Sequence, residues 1–185
     1  MHSDQLVLDV RDATADDARA TAAIQVAGWQ FAYRGILPDQ LLDSLRPENR
    51  EARHREQIAR GDTIQLVALD AGGAAVGWAA AGAAAEAAER EGGFGGEVLA
   101  LYVSPHVVGR GCGFALMRAA VDRMADRGWP HVCVRVLRDN RRGVAFYTRL
   151  GGQFLRDSSV EVGGARYPEV VYGYRNAREL LRERR

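Results

Sequence analysis

The stretch EVLALYVSPHVVGRGCGF, residues 97–114, decides how this chain folds and where it can hold a ligand. Its first part, residues 97–103, is a short apolar run bounded by turn residues, which is typical of a buried central strand. A serine and proline turn and the glycine loop GRGCG at residues 109–113 follow. A helical pattern begins directly after the loop, so the stretch predicts a strand, a tight glycine loop and a helix in succession.

The glycine loop is the most specific local feature of the sequence. Gly109, Gly111 and Gly113 alternate with larger residues, and glycine lets the backbone approach a ligand without a Cβ clash. The free N–H groups of such a loop and of the first helical turn favour a phosphate, and Arg110 adds a positive charge. The spacing is neither that of a Walker loop nor GxGxxG. The residues alone leave two interpretations open, a phosphate cradle and a tight turn without a ligand.

Strand and helix patterns alternate along the rest of the chain. Predicted strands cover residues 6–10, 64–69, 75–81, 97–103 and 131–137, and a final hairpin pairs the runs around 160–162 and 166–174. Predicted helices begin after Thr14, cover residues 41–45, follow Pro47, and occupy residues 114–127 and 140–150. Residues 84–96 are rich in alanine and glycine, which predicts a loose loop. This order predicts one mixed sheet flanked by helices, an α/β or α+β fold.

Length and composition limit the number of domains and the class of protein. The 185 residues suit one domain, with residues 1–175 as its body and residues 176–185 as a polar C-terminal tail. With 47% hydrophobic and 26% charged residues, the chain matches ordinary globular usage. A formal net charge of +1 gives no electrostatic reason to expect nucleic acid or a membrane surface as a partner.

Signals for targeting and for metal binding are missing from the sequence. No apolar run approaches the ~18 residues of a membrane span, and the first residues lack the basic and apolar segments of a signal peptide. A cytoplasmic protein is therefore expected. Cys112 and Cys133 lie in unlike contexts without a CxxC spacing, and the four histidines form no HExxH motif. We expect no metal site from these spacings.

Three motifs give the chain a family resemblance. The strand LALYV ends at Val103 and is followed by a proline turn and the glycine loop. Residues 140–151, NRRGVAFYTRLG, follow a pattern N-x-x-A-x-x-F-Y-x-x-x-G, and residues 29–45 are WQFAYRGILPDQLLDSL. On these motifs the chain resembles the GNAT superfamily of N-acetyltransferases over almost its whole length.

Three positions depart from the family pattern. Val108 stands where Arg or Gln is usual, and Gly143 replaces the common Ala. Gly152 and Gln153 precede Phe154, where Phe would normally follow the motif glycine at once. Because Val108 is apolar, we expect one phosphate contact fewer, worth about 0.5 to 1.5 kcal/mol.

The resemblance implies a GNAT-like single domain whose mixed central sheet has about seven strands and is splayed at the central strands. It also implies acetyl-CoA as co-substrate, with the pyrophosphate on the glycine loop and the pantetheine arm along the strand that ends at Val103. The cofactor-binding residues that it implies are Leu101, Tyr102, Val103, Val108, Gly109, Arg110, Gly111, Cys112, Gly113, Phe114 and Asn140.

Two residues become catalytic candidates through the resemblance. Tyr147 matches the family tyrosine that protonates the departing thiolate, and a tyrosine with a pKa of ~10 is protonated at neutral pH. The alternative for Tyr147 is packing beside Phe146. Glu97 resembles the carboxylate that many members use as a base, and its alternative is a structural ion pair or a solvated charge. Asn140 either contacts the cofactor or only caps the helix that follows it.

Other side chains near these motifs have two interpretations each. Cys112 lies near a predicted helix N-terminus, where a thiolate is favoured, but no histidine stands at a partner spacing, so packing is the favoured role. Four residues of the first helical segment either line the acceptor pocket, as the resemblance implies, or belong to the core: Trp29, Phe31, Tyr33 and Arg34.

These observations predict an N-acetyltransferase that moves an acetyl group from acetyl-CoA directly to a primary amine of a small molecule or peptide. A second hypothesis, motivated by Val108, is a non-catalytic acyl-CoA-binding sensor of the same fold. A histone-associated or nucleic-acid-associated enzyme is a third, which the near-zero charge disfavours. The final hairpin also offers a strand edge that a homodimer would cover.

Overall fold

The computed structural model describes residues 6–182 of the chain. The strands are β1 (Asp9–Asp12), β2 (Ile64–Leu69), β3 (Ala75–Ala83), β4 (Gly96–Val103), β5 (Val132–Leu137), β6 (Gln153–Val162) and β7 (Ala165–Tyr174). The helices are α1 (Ala18–Tyr33), α2 (Asp39–Ser44), α3 (Glu48–Arg60), α4 (Ala87–Glu91), α5 (Cys112–Asp126), α6 (Arg141–Arg149) and α7 (Ala177–Arg182). No helix in this part of the chain is long and apolar enough to cross a bilayer.

All seven strands form one open sheet in the order β1-β2-β3-β4-β5-β7-β6. The neighbouring strands run antiparallel except for β4 and β5, which are parallel. A parallel pair needs a crossover connection, and α5 supplies it between these two strands. The predicted mixed sheet of about seven strands, flanked by helices, is confirmed.

The sheet is splayed between its two central strands. β4 and β5 pair only at the three positions Gly96↔Val132, Glu97↔Cys133 and Val98↔Val134, although both strands continue further. In β4 the pairing with β3 skips Leu99, which is a β-bulge and is 46% exposed. A bulge bends its strand and increases the local twist. The bend at Leu99 begins the gap between β4 and β5. The family resemblance had implied a splay at these central strands.

Helices cover both faces of β4. On one face α5 packs against β2, β3 and β4 through residues at helical spacing: Leu116, Met117, Ala120, Val121 and Met124. On the other face Ile24 of α1 packs against Trp78 and Ala80 of β3. Because Ala79 lies in the cluster with α5, and successive strand residues point to opposite faces, the two helices are on opposite sides of the sheet. The gap between β4 and β5 therefore connects two helical layers.

One segment differs from the expectation of a loose loop. Residues 84–96 contain the short helix α4, and Glu89 in it is only 2% exposed. Its carboxylate accepts hydrogen bonds from Arg135 at 2.9 Å and Arg156 at 2.8 Å. The alanine-rich composition gave no sign of these two ion pairs, because the arginines lie far along the chain, Arg135 in β5 and Arg156 in β6.

The C-terminal segment packs against the rest of the molecule. The boundary predicted at residue 175 falls just before α7, whose Ala177 and Leu181 are fully buried. α7 contacts α5, so its apolar residues complete the layer on that face of the sheet. Residues 183–185 of the predicted tail lie outside the described residues.

Candidate active site

A cavity of about 610 Å³ opens where β4 and β5 separate. Residues of α1, the central strands, the glycine loop, α5 and α6 line it. Ten of the thirteen predicted catalytic and cofactor-binding residues line this cavity: Leu101, Tyr102, Val103, Val108, Gly109, Gly111, Gly113, Phe114, Asn140 and Tyr147. Three predicted residues, Glu97, Arg110 and Cys112, are not among its lining.

The glycine loop needs glycine for its backbone conformation. Gly109 has φ +82° and Gly111 has φ +90°, in the left-handed region that side chains disfavour. Gly111 is also the N-cap of α5, a helix of 15 residues. The first N–H groups of a helix have no partner within the helix, and here they lie at the rim of the cavity. The loop is therefore suited to a phosphate or pyrophosphate group.

Cys112 turns its side chain away from this loop and into the core. The residue is 1% exposed, and its Sγ lies 4.0 Å from the carbonyl oxygen of Val76. Burial raises the pKa of the thiol to about 11, so the thiol stays protonated at neutral pH. A Cβ on Gly77 would come within 2.7 Å of the Cys112 Sγ, which shows how closely this turn packs on β3. The packing role is favoured over a nucleophile.

After Val98, no strand within residues 6–182 pairs with the edge of β4 that faces the cavity. Ala100 and Leu101 line the cavity along this edge, and Tyr102 and Val103 continue it towards the glycine loop. An extended ligand that carries amides can pair with such an edge as an added strand would. This part of the cavity suits a linear amide-containing molecule that ends in phosphates.

Asn140 caps α6 and lines the cavity as well. Its Oδ1 accepts a hydrogen bond of 3.0 Å from the N–H of Gly143. A Cβ on Gly143 would come within 2.8 Å of the Asn140 amide nitrogen and 2.9 Å of Val136. The departure from the family alanine at Gly143 thus has a physical reason: α6 starts so close to β5 that a methyl group does not fit.

Tyr147 lies on α6 at the end of the cavity near the middle of the sheet. It is 8% exposed, and burial raises the pKa of its hydroxyl, which is therefore protonated at neutral pH. The Tyr174 hydroxyl donates a hydrogen bond of 2.8 Å to the Tyr147 carbonyl oxygen and so fixes the end of α6. A Cβ on Gly152 would come within 2.8 Å of the same Tyr174 hydroxyl, which explains why glycine follows the motif here.

Two further tyrosines meet on the α1 side of the cavity. The hydroxyls of Tyr33 and Tyr102 are 3.1 Å apart, and burial raises the pKa of each. A Cβ on Gly28 would come within 2.7 Å of the Tyr102 ring, so a glycine in α1 is what allows this close contact. Tyr147 interacts electrostatically with both hydroxyls. Three protonated tyrosine hydroxyls therefore gather across the gap from α1, β4 and α6.

Glu97 lies at the closed end of the gap, where β4 and β5 still pair. Its residue is 4% exposed, and one carboxylate oxygen accepts a hydrogen bond of 2.9 Å from Arg135. The other oxygen accepts one of 3.0 Å from the Ala85 N–H. Since both oxygens are engaged and Glu97 does not line the cavity, the arrangement favours the ion-pair interpretation over the general base.

The four candidates from the first helical segment separate into two groups. Phe31 and Tyr33 line the cavity, whereas Trp29 packs edge-on against Tyr33 with ring centroids 5.3 Å apart. Arg34 is exposed and forms ion pairs on the surface. The Arg142 guanidinium lies 4.6 Å from the centre of the Phe31 ring, which joins α6 to α1 across the cavity.

Among the lining residues that were not predicted are three arginines, Arg135, Arg142 and Arg149. Arg142 stands inside the NRRGVAFY motif, so its position next to Asn140 was a usable signal. Arg135 stands among apolar residues in β5, a pattern that by itself predicts only a strand. It lines the cavity because β5 no longer pairs with β4 at this position.

The chain is similar to known acetyltransferases. The family described as "Acetyltransferase (GNAT) family" matches residues 29–152. YuaI of Bacillus subtilis (strain 168), named an uncharacterized N-acetyltransferase, is 26% identical over 168 residues, which cover 91% of this chain and 93% of that protein.

Two solved structures share the fold. PaiA N-acetyltransferase from Thermoplasma acidophilum, in complex with coenzyme A, has a TM-score of 0.74 and 19% identity, and covers 92% of this chain and 99% of its own. YncA from Salmonella typhimurium, with its cofactor acetyl-CoA, has a TM-score of 0.66 and 18% identity, and covers 91% of this chain and 94% of its own.

Proposed function

Because the chain belongs to the GNAT family of acetyltransferases, we propose that it transfers the acetyl group of acetyl-CoA directly to a primary amine of a small molecule or peptide. The observation that carries the proposal is the gap between β4 and β5. It has the glycine loop at one end and the hydroxyls of Tyr33, Tyr102 and Tyr147 at the other. One end suits an anionic cofactor and the other suits acyl chemistry.

The predicted cofactor residues support acetyl-CoA as the donor. The loop from Gly109 to Gly113 would hold the pyrophosphate through backbone N–H groups, and the free edge of β4 would pair with the pantetheine amides. PaiA and YncA, which share the fold, carry coenzyme A and acetyl-CoA in their crystals. Arg110 and Cys112 would contribute through their backbone, since neither side chain lines the cavity.

Tyr147 is the proposed acid of the reaction. Acetyl transfer forms a C–N bond as the thioester C–S bond breaks, and the departing sulfur takes up a proton. Burial raises the pKa of Tyr147, so its hydroxyl carries a proton to donate. An ordinary thiol has a pKa of ~8.5, well below that of the tyrosine. Tyr147 therefore donates a hydrogen bond to the sulfur first and its proton as the C–S bond breaks. The second proton, which the newly acylated nitrogen loses, then restores the Tyr147 hydroxyl.

A proton must also leave the acceptor before it attacks. For an amine with a pKa of ~10.4, loss of the proton at pH 7 costs about 4.6 kcal/mol. Glu97 was the candidate base, but its two oxygens already accept hydrogen bonds. We propose that the proton leaves to water at the open end of the cavity, and that Glu97 instead fixes Arg135, which lines the cavity.

The test of this function is acetyl transfer to a broad panel of amines, combined with calorimetric titration of acetyl-CoA. We expect heat of binding, and acetylated product from at least one primary amine. Absence of both heat and thermal stabilisation at millimolar acetyl-CoA would contradict the proposal.

A second candidate function is an acyl-CoA-binding sensor. The apolar Val108 in the cavity lining favours it, because a polar side chain at this point would add a phosphate contact. The three tyrosine hydroxyls at the other end favour catalysis. Binding of acetyl-CoA without any acetylated amine would support the sensor, and product that disappears in Tyr147→Phe would reject it.

A further inference from the structure

Two hydroxyl groups on the α1 side of the cavity share a single hydrogen bond. The hydroxyls of Tyr33 and Tyr102 are 3.1 Å apart, and both residues line the cavity. One hydroxyl donates to the other, so this contact uses one of their two hydrogens. Within residues 6–182 neither hydroxyl takes part in a further hydrogen bond. One O–H of the pair is therefore left to donate into the cavity.

The indole N–H of Trp29 is a third donor at the same place. Trp29 packs edge-on against Tyr33, and its Nε1 is buried without a hydrogen-bond partner within residues 6–182. An indole nitrogen only donates, and a buried donor without an acceptor is costly. Burial raises the pKa of Tyr102 and Trp29 opposes the rise, so the N–H acts on the Tyr102 oxygen without bonding to it. Two of the three donors thus lack an acceptor in the described part of the chain.

The hydroxyl pair lies near the reacting atoms and on the face of the sheet opposite α5. Tyr102 packs on Gly28 of α1, where an added Cβ would come within 2.7 Å of the ring. Tyr147, the proposed acid, interacts electrostatically with both Tyr33 and Tyr102. The phosphate site is instead at the N-terminus of α5. An oxygen held by the pair therefore belongs to a molecule that approaches from the side that the phosphates leave free.

The charges around the cavity also favour an oxygen. Within residues 6–182 its lining includes no carboxylate and three arginines: Arg135, Arg142 and Arg149. Glu97 and Glu89 balance Arg135. Arg142 takes part in no ion pair with the described residues and lies over the Phe31 ring. Positive charge and unpaired donors both attract an electron-rich oxygen, whether it is neutral or part of a carboxylate.

We propose that Tyr33 and Tyr102, with the Trp29 N–H behind them, donate hydrogen bonds to an oxygen of the acceptor. The site then selects primary amines that carry a hydroxyl, carbonyl or carboxylate oxygen on the carbon next to the one that bears the amine. The inference rests on the proposed acetyl transfer and names its acceptor class. An amine without this oxygen leaves buried donors unpaired, which is how a site that hydrogen-bonds its substrate rejects an analogue.

Isosteric amines test the requirement for the oxygen. Phenylalaninol and 1-phenylbutan-2-amine differ only in a hydroxyl against a methyl group. Phenylalaninamide and 3-methyl-1-phenylbutan-2-amine differ only in a carboxamide against an isopropyl group, and the same exchange is made in whichever panel amine is acetylated best. We expect kcat/KM to be higher for the oxygen-bearing member by about 10-fold to 100-fold. Equal values within the pairs, or acetylation only of amines that lack such an oxygen, would overturn the proposal.

A variant separates the hydroxyl from the acidity of the amine. Tyr33→Phe keeps the ring that packs on Trp29 and removes one donor, so the preference for the oxygen-bearing amine should fall by about 10-fold while KM for acetyl-CoA stays unchanged. The pKa of each amine is the same for both enzymes and cancels in this ratio. Tyr102→Phe repeats the measurement at the other hydroxyl. Tyr167→Phe, in the same apolar cluster but outside the cavity lining, is the matched control and keeps the wild-type preference.

Two results of the variants would contradict the proposal. An unchanged preference in Tyr33→Phe and Tyr102→Phe would show that the hydroxyls do not contact an oxygen of the acceptor. An equal loss of kcat for both members of a pair would show that they act on the acetyl group instead. A wild type that acetylates no amine of the broad panel fails the proposed function itself, whereas an active wild type without discrimination removes only this inference.

Discussion

The two ends of the cavity are built in opposite ways. At the glycine end the backbone makes the site, and residues close together in the sequence line it: Val108, Gly109, Gly111, Gly113 and Phe114. At the tyrosine end side chains make the site, and they come from α1, β4 and α6. Tyr33 and Tyr102, whose hydroxyls are 3.1 Å apart, are 69 residues apart in the chain. A cofactor that a whole family shares can be bound by a backbone-built site, whereas the chemistry needs particular side chains.

The difference also concerns charge. The glycine end offers N–H groups and a helix N-terminus, so it favours an anion. The tyrosine end offers hydroxyl groups held protonated by burial, beside a face where Glu97 is tied to Arg135. Variants at the tyrosine end should therefore change kcat, and variants at the glycine end should change the affinity for the cofactor.

The largest effect is expected at the tyrosine end. Tyr147→Phe should lower kcat by about 10²- to 10⁴-fold, the usual contribution of a general acid, with little change in KM for acetyl-CoA. Steady-state kinetics with acetyl-CoA varied at saturating amine separates the two constants. Tyr172→Phe removes a hydroxyl on β7 and is the control that should retain activity. A large loss of acetyl-CoA affinity in Tyr147→Phe, with kcat retained, would break the division between the two ends.

Glu97 should affect stability more than chemistry. Glu97→Ala removes one charge-assisted hydrogen bond from Arg135, which keeps its ion pair with Glu89, so the expected loss of stability is about 1.5 to 3 kcal/mol. Urea denaturation measures the loss, and Glu56→Ala at an exposed pair is the control, with about 0.5 kcal/mol or less. A fall in kcat of about 100-fold at unchanged stability would instead identify Glu97 as the base.

The helical layer that carries Tyr33 should weaken in acid through His54. The buried ring of His54 is hydrogen-bonded to Thr21 of α1 at 2.9 Å, and burial, with repulsion from Arg50 and Arg53, lowers its pKa to about 4. The unfolded chain has the higher pKa, so it binds the proton more tightly. His54 thus contributes stability that is complete above about pH 6.5 and is lost as the pH falls towards 4.

The variant His54→Gln measures this contribution. Stability determined by urea denaturation across pH 4 to 7 should fall less steeply for the variant than for the wild type. The comparison of slopes is independent of any constant loss that the substitution causes. Parallel curves for the two proteins would show that His54 is not the group that weakens this layer.

The smallest effect is expected at the glycine end. Val108→Gln adds a polar side chain to the cavity lining, and one hydrogen bond to a phosphate should lower the Kd for acetyl-CoA by about 2-fold to 10-fold. kcat should stay unchanged, because the tyrosine end is not altered. Calorimetric titration checks the affinity, and a weaker Kd would mean that Val108 does not face the phosphates.

The same contrast explains what the sequence could predict. Strand β2 was predicted with both ends correct, because its apolar run is bounded by turn residues. The glycine loop and α6 were found through motifs of neighbouring residues. In contrast, no local pattern connects Glu97 with Arg135, since their partnership depends on the register of β4 and β5.

Alanine-rich regions were also difficult to interpret. Residues 84–96 lack the apolar spacing that marks a helix, so α4 was missed, and its Glu89 is buried only because Arg135 and Arg156 reach it.

The most direct test of the account is calorimetric titration of acetyl-CoA into two matched glycine variants. Gly111→Ala and Gly73→Ala both place alanine at a positive φ with open space around the new methyl, so both should lose about 1 to 2 kcal/mol of stability. Only Gly111 lines the cavity. We predict weaker acetyl-CoA binding in Gly111→Ala, by about 2-fold to 10-fold for one phosphate hydrogen bond that the new methyl blocks, and wild-type affinity in Gly73→Ala. Equal affinity in the two variants, or no binding by the wild type, would contradict a cofactor held on the glycine loop.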